Sequence, residues 1–199
     1  MKLANIDHSI IDLMKIGCNH ISCTNVNAKK KNYIPCQTGP LNDLKYCYSD
    51  LYFNNKSIVV TTPVMICPFG ISNQGNNFNI CLQFTNYTED SEMNSFFDFI
   101  QTLEYKQMVL LGLSETDSES FISQIKYDKK GKYDPNLQVK IPFTYNRFNT
   151  DIFSDNYDSI GIMNISKFCK LKCDIYLDKI WKYNDKYISK WKARVIQVI

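Results

Sequence analysis

From Cys169 to Asp178 the chain alternates without a slip. Cys169, Leu171, Cys173, Ile175 and Leu177 occupy one parity, and Lys170, Lys172, Asp174, Tyr176 and Asp178 the other. Period two over ten residues is the signature of a strand with one buried and one wet face, so the fold must supply a sheet with a core on one side. A second run follows the Asn184-Asp185-Lys186 turn, with Trp191, Ala193 and Val195 set against Lys190, Lys192 and Arg194. The two runs read as a hairpin. If their apolar parities share the core, Lys170, Lys172, Lys190, Lys192 and Arg194 all project from the opposite face of one sheet.

The rest of the chain is mostly strand-like as well. Ser57 to Thr62 is a β-branched run ended by Pro63, and Phe78, Ile80, Leu82 and Phe84 alternate with Asn79, Cys81 and Gln83 after the Asn73–Asn77 turn. Phe121 to Tyr127 and Leu137 to Phe143 read as two further strands, joined by the turn Asp128-Lys129-Lys130-Gly131-Lys132. One segment changes period: Met93, Phe96, Ile100 and Leu103 recur at three to four residues, with Ser91 as the expected N-cap of the main helix. A weaker helical pattern runs through Ile6, Ile10, Leu13 and Met14. Lys29-Lys30-Lys31-Asn32 reads as a turn between short strands, and Ser114 to Ser120 as an acidic loop.

A chain of 199 residues with 44% hydrophobic residues suffices for one core. Its 13 Tyr and 12 Phe favour pleated sheet over an all-helical bundle. The N-terminus lacks the layout of a secretory signal, and the longest apolar run, Met108 to Leu113, is far short of a bilayer span. An intracellular setting is expected, with the eight cysteines reduced and packed rather than bridged. The net charge of +3 hides an asymmetry: residues 1–119 carry 8 basic and 12 acidic groups, and residues 120–199 carry 15 and 8. The halves are thus −4 and +7, which points to a polyanionic partner for the C-terminal part.

No catalytic or metal motif is complete. Cys18, His20 and Cys23 lack the spacing of a zinc knuckle, and Cys169 and Cys173 lie roughly 13 Å apart along one strand. Only His8 and His20 could serve a nucleophile as base, and both lie in the N-terminal region. Gly70 to Gly75 has the spacing of a phosphate loop, but Asn76-Asn77 replace the Lys and Ser/Thr that the loop needs. No enzyme activity, metal or cofactor is expected. The basic hairpin does carry a mechanism, because a sheet face of lysines with an aromatic ring neutralises phosphates while the ring stacks on unpaired bases.

Several segments resemble the single-stranded DNA-binding proteins of the nucleocytoplasmic large DNA viruses. They are Lys29 to Pro35, Ile58 to Pro63 running on to Pro68-Phe69-Gly70-Ile71, the strand Phe78 to Phe84 with its following helix, Tyr133-Asp134-Pro135, Leu137 to Pro142, and the closing Trp191 to Val198. The chain departs from that pattern at Asn184-Asp185-Lys186-Tyr187-Ile188, which lacks a glycine near the turn. The resemblance implies a mainly β, α+β protein: an OB-like, mostly antiparallel barrel with helical insertions and one principal helix. It places a helical or irregular extension at residues 1–25 and one nucleic-acid-binding domain at 26–199.

It also implies sequence-independent binding of single-stranded DNA, with RNA left open, in viral replication or repair within host cytoplasm or virion. Lys170, Lys172, Lys190, Lys192 and Arg194 would meet phosphates, and Tyr176, Tyr183 and Phe69 would stack on bases. Lys29, Lys30, Lys31, Lys129, Lys130 and Lys132 would add secondary contacts. The alternative is a structural or virion-associated protein that uses the same scaffold for contacts with viral proteins.

Overall fold

The computed structural model describes residues 2–18, 22–24, 34–35, 46–183 and 185–199. The Lys29–Lys31 turn, with its three candidate contacts, lies outside the described residues. In chain order the main elements are β1 (Tyr46–Phe53), β2 (Ile58–Thr61), β3 (Met65–Cys67), β4 (Asn77–Gln83), α1 (Ser91–Leu110), β5 (Asn136–Ile141), β6 (Asp151–Phe153), β7 (Cys169–Leu177), β8 (Lys179–Tyr183), β9 (Lys186–Ser189) and β10 (Trp191–Val198). Among the described residues no helix is long and apolar enough to cross a membrane.

Five staves close a barrel. The first is β2 and β3 together, interrupted at Thr62-Pro63 because proline cannot donate to a ladder. It meets β4 at Ile66–Gln83, and β4 runs antiparallel to β5 from Asn136–Gln83 to Ile141–Phe78. Next, β5 lies parallel to β10 at Val139–Trp191, β10 is antiparallel to β7, and β7 returns to β2 and β3. Numbered by stave, the neighbours run 1-2-3-5-4-1. That circuit is the Greek-key closure of an OB-like barrel.

The interior is filled as the alternation requires. Ile80 and Leu82, Leu137, Val139 and Ile141, Leu171, Cys173, Ile175 and Leu177, and Trp191 and Ala193 all join one core. The register of β7 and β10 shifts between Asp174–Val195 and Ile175–Ala193, leaving Arg194 as the extra residue of a bulge. A bulge reverses parity beyond it, so Ile196 continues the core and Val195 is buried outside it. The expected core position of Val195 is corrected on this ground.

Helix α1 lays Met93, Phe96, Phe97, Ile100 and Leu103 against this core, with Phe97 edge-on to Phe84 just past the end of β4, 5.0 Å between ring centroids. Its N-cap is Asp90 and not Ser91, because the Asp90 carboxylate accepts from the N–H groups of both Glu92 and Met93. Leu111 caps the other end and Gly112 follows at φ 69°, the left-handed geometry that stops a helix.

The weak helical pattern near the N-terminus resolves into two 3-10 turns, His8–Ile10 and Leu13–Lys15. Asp7 and Asp12 capture the N–H groups of Ser9 and Met14, and such local side-chain bonds compete with a continuing helix. The run Phe121 to Tyr127 likewise splits into two short strands. The Glu104 carboxylate draws the intervening Ser123 hydroxyl and Gln124 N–H toward α1. Ser114 to Ser120 holds a 3-10 turn, not a plain loop.

Beyond Leu177 the terminal hairpin continues as β8 and β9, which leave the barrel and join a second sheet. There β1 pairs with β8 at Ile180–Ser49, while Ile16–Cys18 and Ser22–Thr24 pair with β1.

Candidate nucleic-acid interface

The pairings that close the barrel also align one row of outward side chains. Asn79 on β4 is opposite Lys140 on β5, Lys140 is opposite Lys192 on β10, and Lys192 is opposite Tyr176 on β7. All four are half-buried. Lys190, just before β10, is exposed beside them. Burial first, and then the charges of Lys190 and Lys192, hold the Lys140 ammonium below its ordinary pKa. Three cations therefore crowd one patch of sheet.

Among the described residues, Asp178 pairs with one of the three. The Lys192 ammonium donates to both oxygens of Asp178 at 2.7 and 2.9 Å and stands 5.4 Å from the centre of the Tyr176 ring. Among the described residues neither Lys140 nor Lys190 has a carboxylate partner. Three lysines less one aspartate leave a local charge of +2 on a surface with a ring at its edge. Burial, and then Asp178, push the Tyr176 phenol above its ordinary value, so it stays a neutral ring.

The five cations expected on one face do not form one cluster. Arg194 is the bulge residue, and its guanidinium donates at 3.0 Å to Asp174, whose carboxylate is fully buried. The same carboxylate accepts from the Thr61 hydroxyl at 2.6 Å and the Ala4 N–H at 2.8 Å, so Arg194 is committed to holding the N-terminal segment. Lys172 lies four residues from Tyr176, roughly 13 Å along β7. It borders a hollow with Asp7, His8 and Glu92. Lys170, exposed, borders another with Glu89 and Asp90. Both lysines thus face the acidic first turn of α1 rather than the Lys140 row.

The other expected residues are dispersed. Phe69 is exposed past β3 at the Cys169 end of β7, and Tyr183 is exposed at the tip of β8, past the far end. The nine-residue β7, roughly 26 Å long, lies between them. Lys129, Lys130 and Lys132 are exposed in the turn before β5, which begins four residues before Lys140. Lys140 itself is the residue that sequence reasoning passed over. Its outward parity was visible in the Leu137-Val139-Ile141 alternation, but its place beside Lys192 depends on a parallel pairing that joins residues fifty-two apart in the chain.

Burial drives the Cys67 thiol up to about 12 and raises those of Cys173 and Cys81, so they pack as protonated thiols. Among the described residues no three His, Cys, Asp or Glu side chains are grouped to hold a metal.

No family model matches the chain, and no curated protein does. Among solved structures it is similar to the gp2.5 single-stranded DNA-binding protein encoded by bacteriophage T7, at 11% identity and TM-score 0.49, over 72% of this chain and 86% of that one. It is similar also to the single-stranded DNA-binding protein of bacteriophage Enc34, at 10% identity and TM-score 0.49, over 75% and 83%. The same Enc34 protein in complex with single-stranded DNA matches over 75% and 89%, with the same identity and TM-score. These neighbours are phage proteins, and none belongs to the large-DNA-virus family that the sequence resembles.

Proposed function

We propose that this chain binds single-stranded DNA, without regard to sequence and without chemistry, across the outer face of β4, β5 and β10. The observation that carries the reading is the Lys140–Lys190–Lys192 patch, two of whose cations have no carboxylate partner among the described residues. Strands 2 and 3 of an OB-like barrel, here β4 and β5, form the usual face for oligonucleotides, and the connection between strands 4 and 5 flanks it. In this chain that connection is the β8–β9 hairpin, which carries Trp181, Tyr183 and Tyr187, the last with the Lys182 ammonium 5.4 Å from its ring centre. Beside the lysines, Tyr176 supplies a ring for an unpaired base while the ammonium groups supply charge for a phosphate backbone.

The resemblance in sequence supports a role in viral DNA replication or repair, in host cytoplasm or virion. One observation favours the alternative, a structural role through protein contacts: Arg194 and Lys192 are both spent on internal carboxylates.

Titration of a fluorescent oligothymidylate at several salt concentrations separates the two. Three phosphate contacts give a slope of log affinity against log salt of about −2, from about −0.7 per phosphate. The pair Lys140→Glu and Lys190→Glu together should weaken binding and flatten that slope by about 1.4. Equal affinity of wild type and double variant, or no binding by wild type, would reject the reading.

A further inference from the structure

Between β5 and β6 the chain makes an excursion that the barrel does not need. After Pro142, Phe143–Thr144 pairs with Arg147–Phe148, and Asn149 returns its N–H to the Pro142 carbonyl. Both tip residues, Tyr145 at φ 51° and Asn146 at φ 57°, are left-handed, as in a two-residue type I′ turn. Such a turn favours Asn-Gly, and Asn146 suits it. Tyr145 does not, because a bulky side chain at positive φ is strained. Nor does packing compensate, for the Tyr145 ring is 97% exposed.

The base of this finger is packed, in contrast to its bare tip. Phe143 and Phe148 hold Phe78 in a three-ring cluster with centroids 5.0, 4.8 and 4.8 Å apart, and the Asn149 amide donates to the Thr144 hydroxyl at 2.6 Å. Phe78 precedes Asn79, and Ile141, its partner on β5, follows Lys140, so the finger is rooted at the end of the Lys140 row. Arg147 is exposed on its flank and, among the described residues, has no carboxylate partner.

We infer that the finger is a base-stacking post for single-stranded nucleic acid, with Tyr145 seated on an unpaired base and Arg147 on a neighbouring phosphate. The inference rests on the proposed nucleic-acid-binding role and extends it to an element outside the barrel sheet. Strain retained at a surface turn, with an uncovered ring on a packed base, is what a preformed contact requires.

The test is Tyr145→Asn, with Tyr145→Trp as the ring-keeping control and Lys140→Glu/Lys190→Glu as the test of the parent reading. Oligothymidylate affinity of Tyr145→Asn should fall about 5- to 150-fold with its salt slope unchanged, as loss of one stacked base predicts. Its melting temperature should hold or rise, because asparagine accepts the left-handed turn. Tyr145→Trp should bind like wild type. Wild-type affinity in Tyr145→Asn, alongside weakened binding in the lysine variant, would overturn the finger and leave the basic face standing. A fall in melting temperature matching the fall in affinity would overturn it too, making Tyr145 structural. Full binding by the lysine variant would remove the parent reading and the finger with it.

Discussion

Arg194 is the residue on which sequence and structure assign different work, and replacing it by methionine decides between them. Methionine keeps an apolar stem in the bulge but removes the one cation that, among the described residues, pairs with the Asp174 carboxylate, which retains two hydrogen bonds, from Ala4 and Thr61. Breaking a buried ion pair on one side costs about 3–5 kcal/mol, because the surviving charge is left without compensation. The Arg194 side chain is 37% exposed, so water reaches part of the vacated space, and about 2–3 kcal/mol is the better figure here. For a domain of this size that is a fall of about 4–12 °C in melting temperature. Adding Asp174→Asn to Arg194→Met neutralises the stranded charge and should restore part of the loss, a coupling measured by the double-mutant cycle. Calorimetry supplies the melting points, and oligothymidylate titration should show an unchanged salt slope. An unchanged melting temperature with a slope flattened by about 0.7 would refute this reasoning and return Arg194 to the phosphates.

Phe96 is fully buried, its ring 6.0 Å from Phe84 and 5.5 Å from His8, so Phe96→Ala should cost about 3–5 kcal/mol in urea titrations, and a loss below about 1 kcal/mol would make α1 peripheral. Burial raises the Glu104 pKa above its ordinary value despite the bonds from Ser123 and Gln124. Stability from that group is thus full below the unfolded value and lost as pH rises through the folded one. Glu104→Gln should therefore gain on wild type as pH rises above the ordinary carboxylate value, and a stability difference that does not change with pH would show the carboxylate to be indifferent to its burial.

The strands that alternate could be read without a structure. Cys169 to Leu177, Phe78 to Gln83 and Leu137 to Ile141 each place their apolar parity in the core, because a strand's two faces are set by its own period. Helix α1 was legible on the same ground, from the three-to-four spacing of Met93, Phe96, Ile100 and Leu103. Elements held by distant partners were not. β1 shows no clear alternation before Leu51-Tyr52-Phe53, and it forms on the free edge of β8, more than a hundred residues later.

The site divides along the same line. The sequence by itself determined that β7 and β10 carry lysines on their wet parities and that the basic charge gathers in the C-terminal half. It could not determine which of those lysines share a patch. A single extra residue at Arg194 shifts the register of β10 against β7 and turns Asp174 into a buried carboxylate that captures the arginine. The parallel pairing of β5 with β10 then brings Lys140 beside Lys192, while Lys170 and Lys172 face the acidic start of α1. Parity is a local property of a strand, but register and neighbour are set by closure of the barrel, and only the tertiary structure contains them.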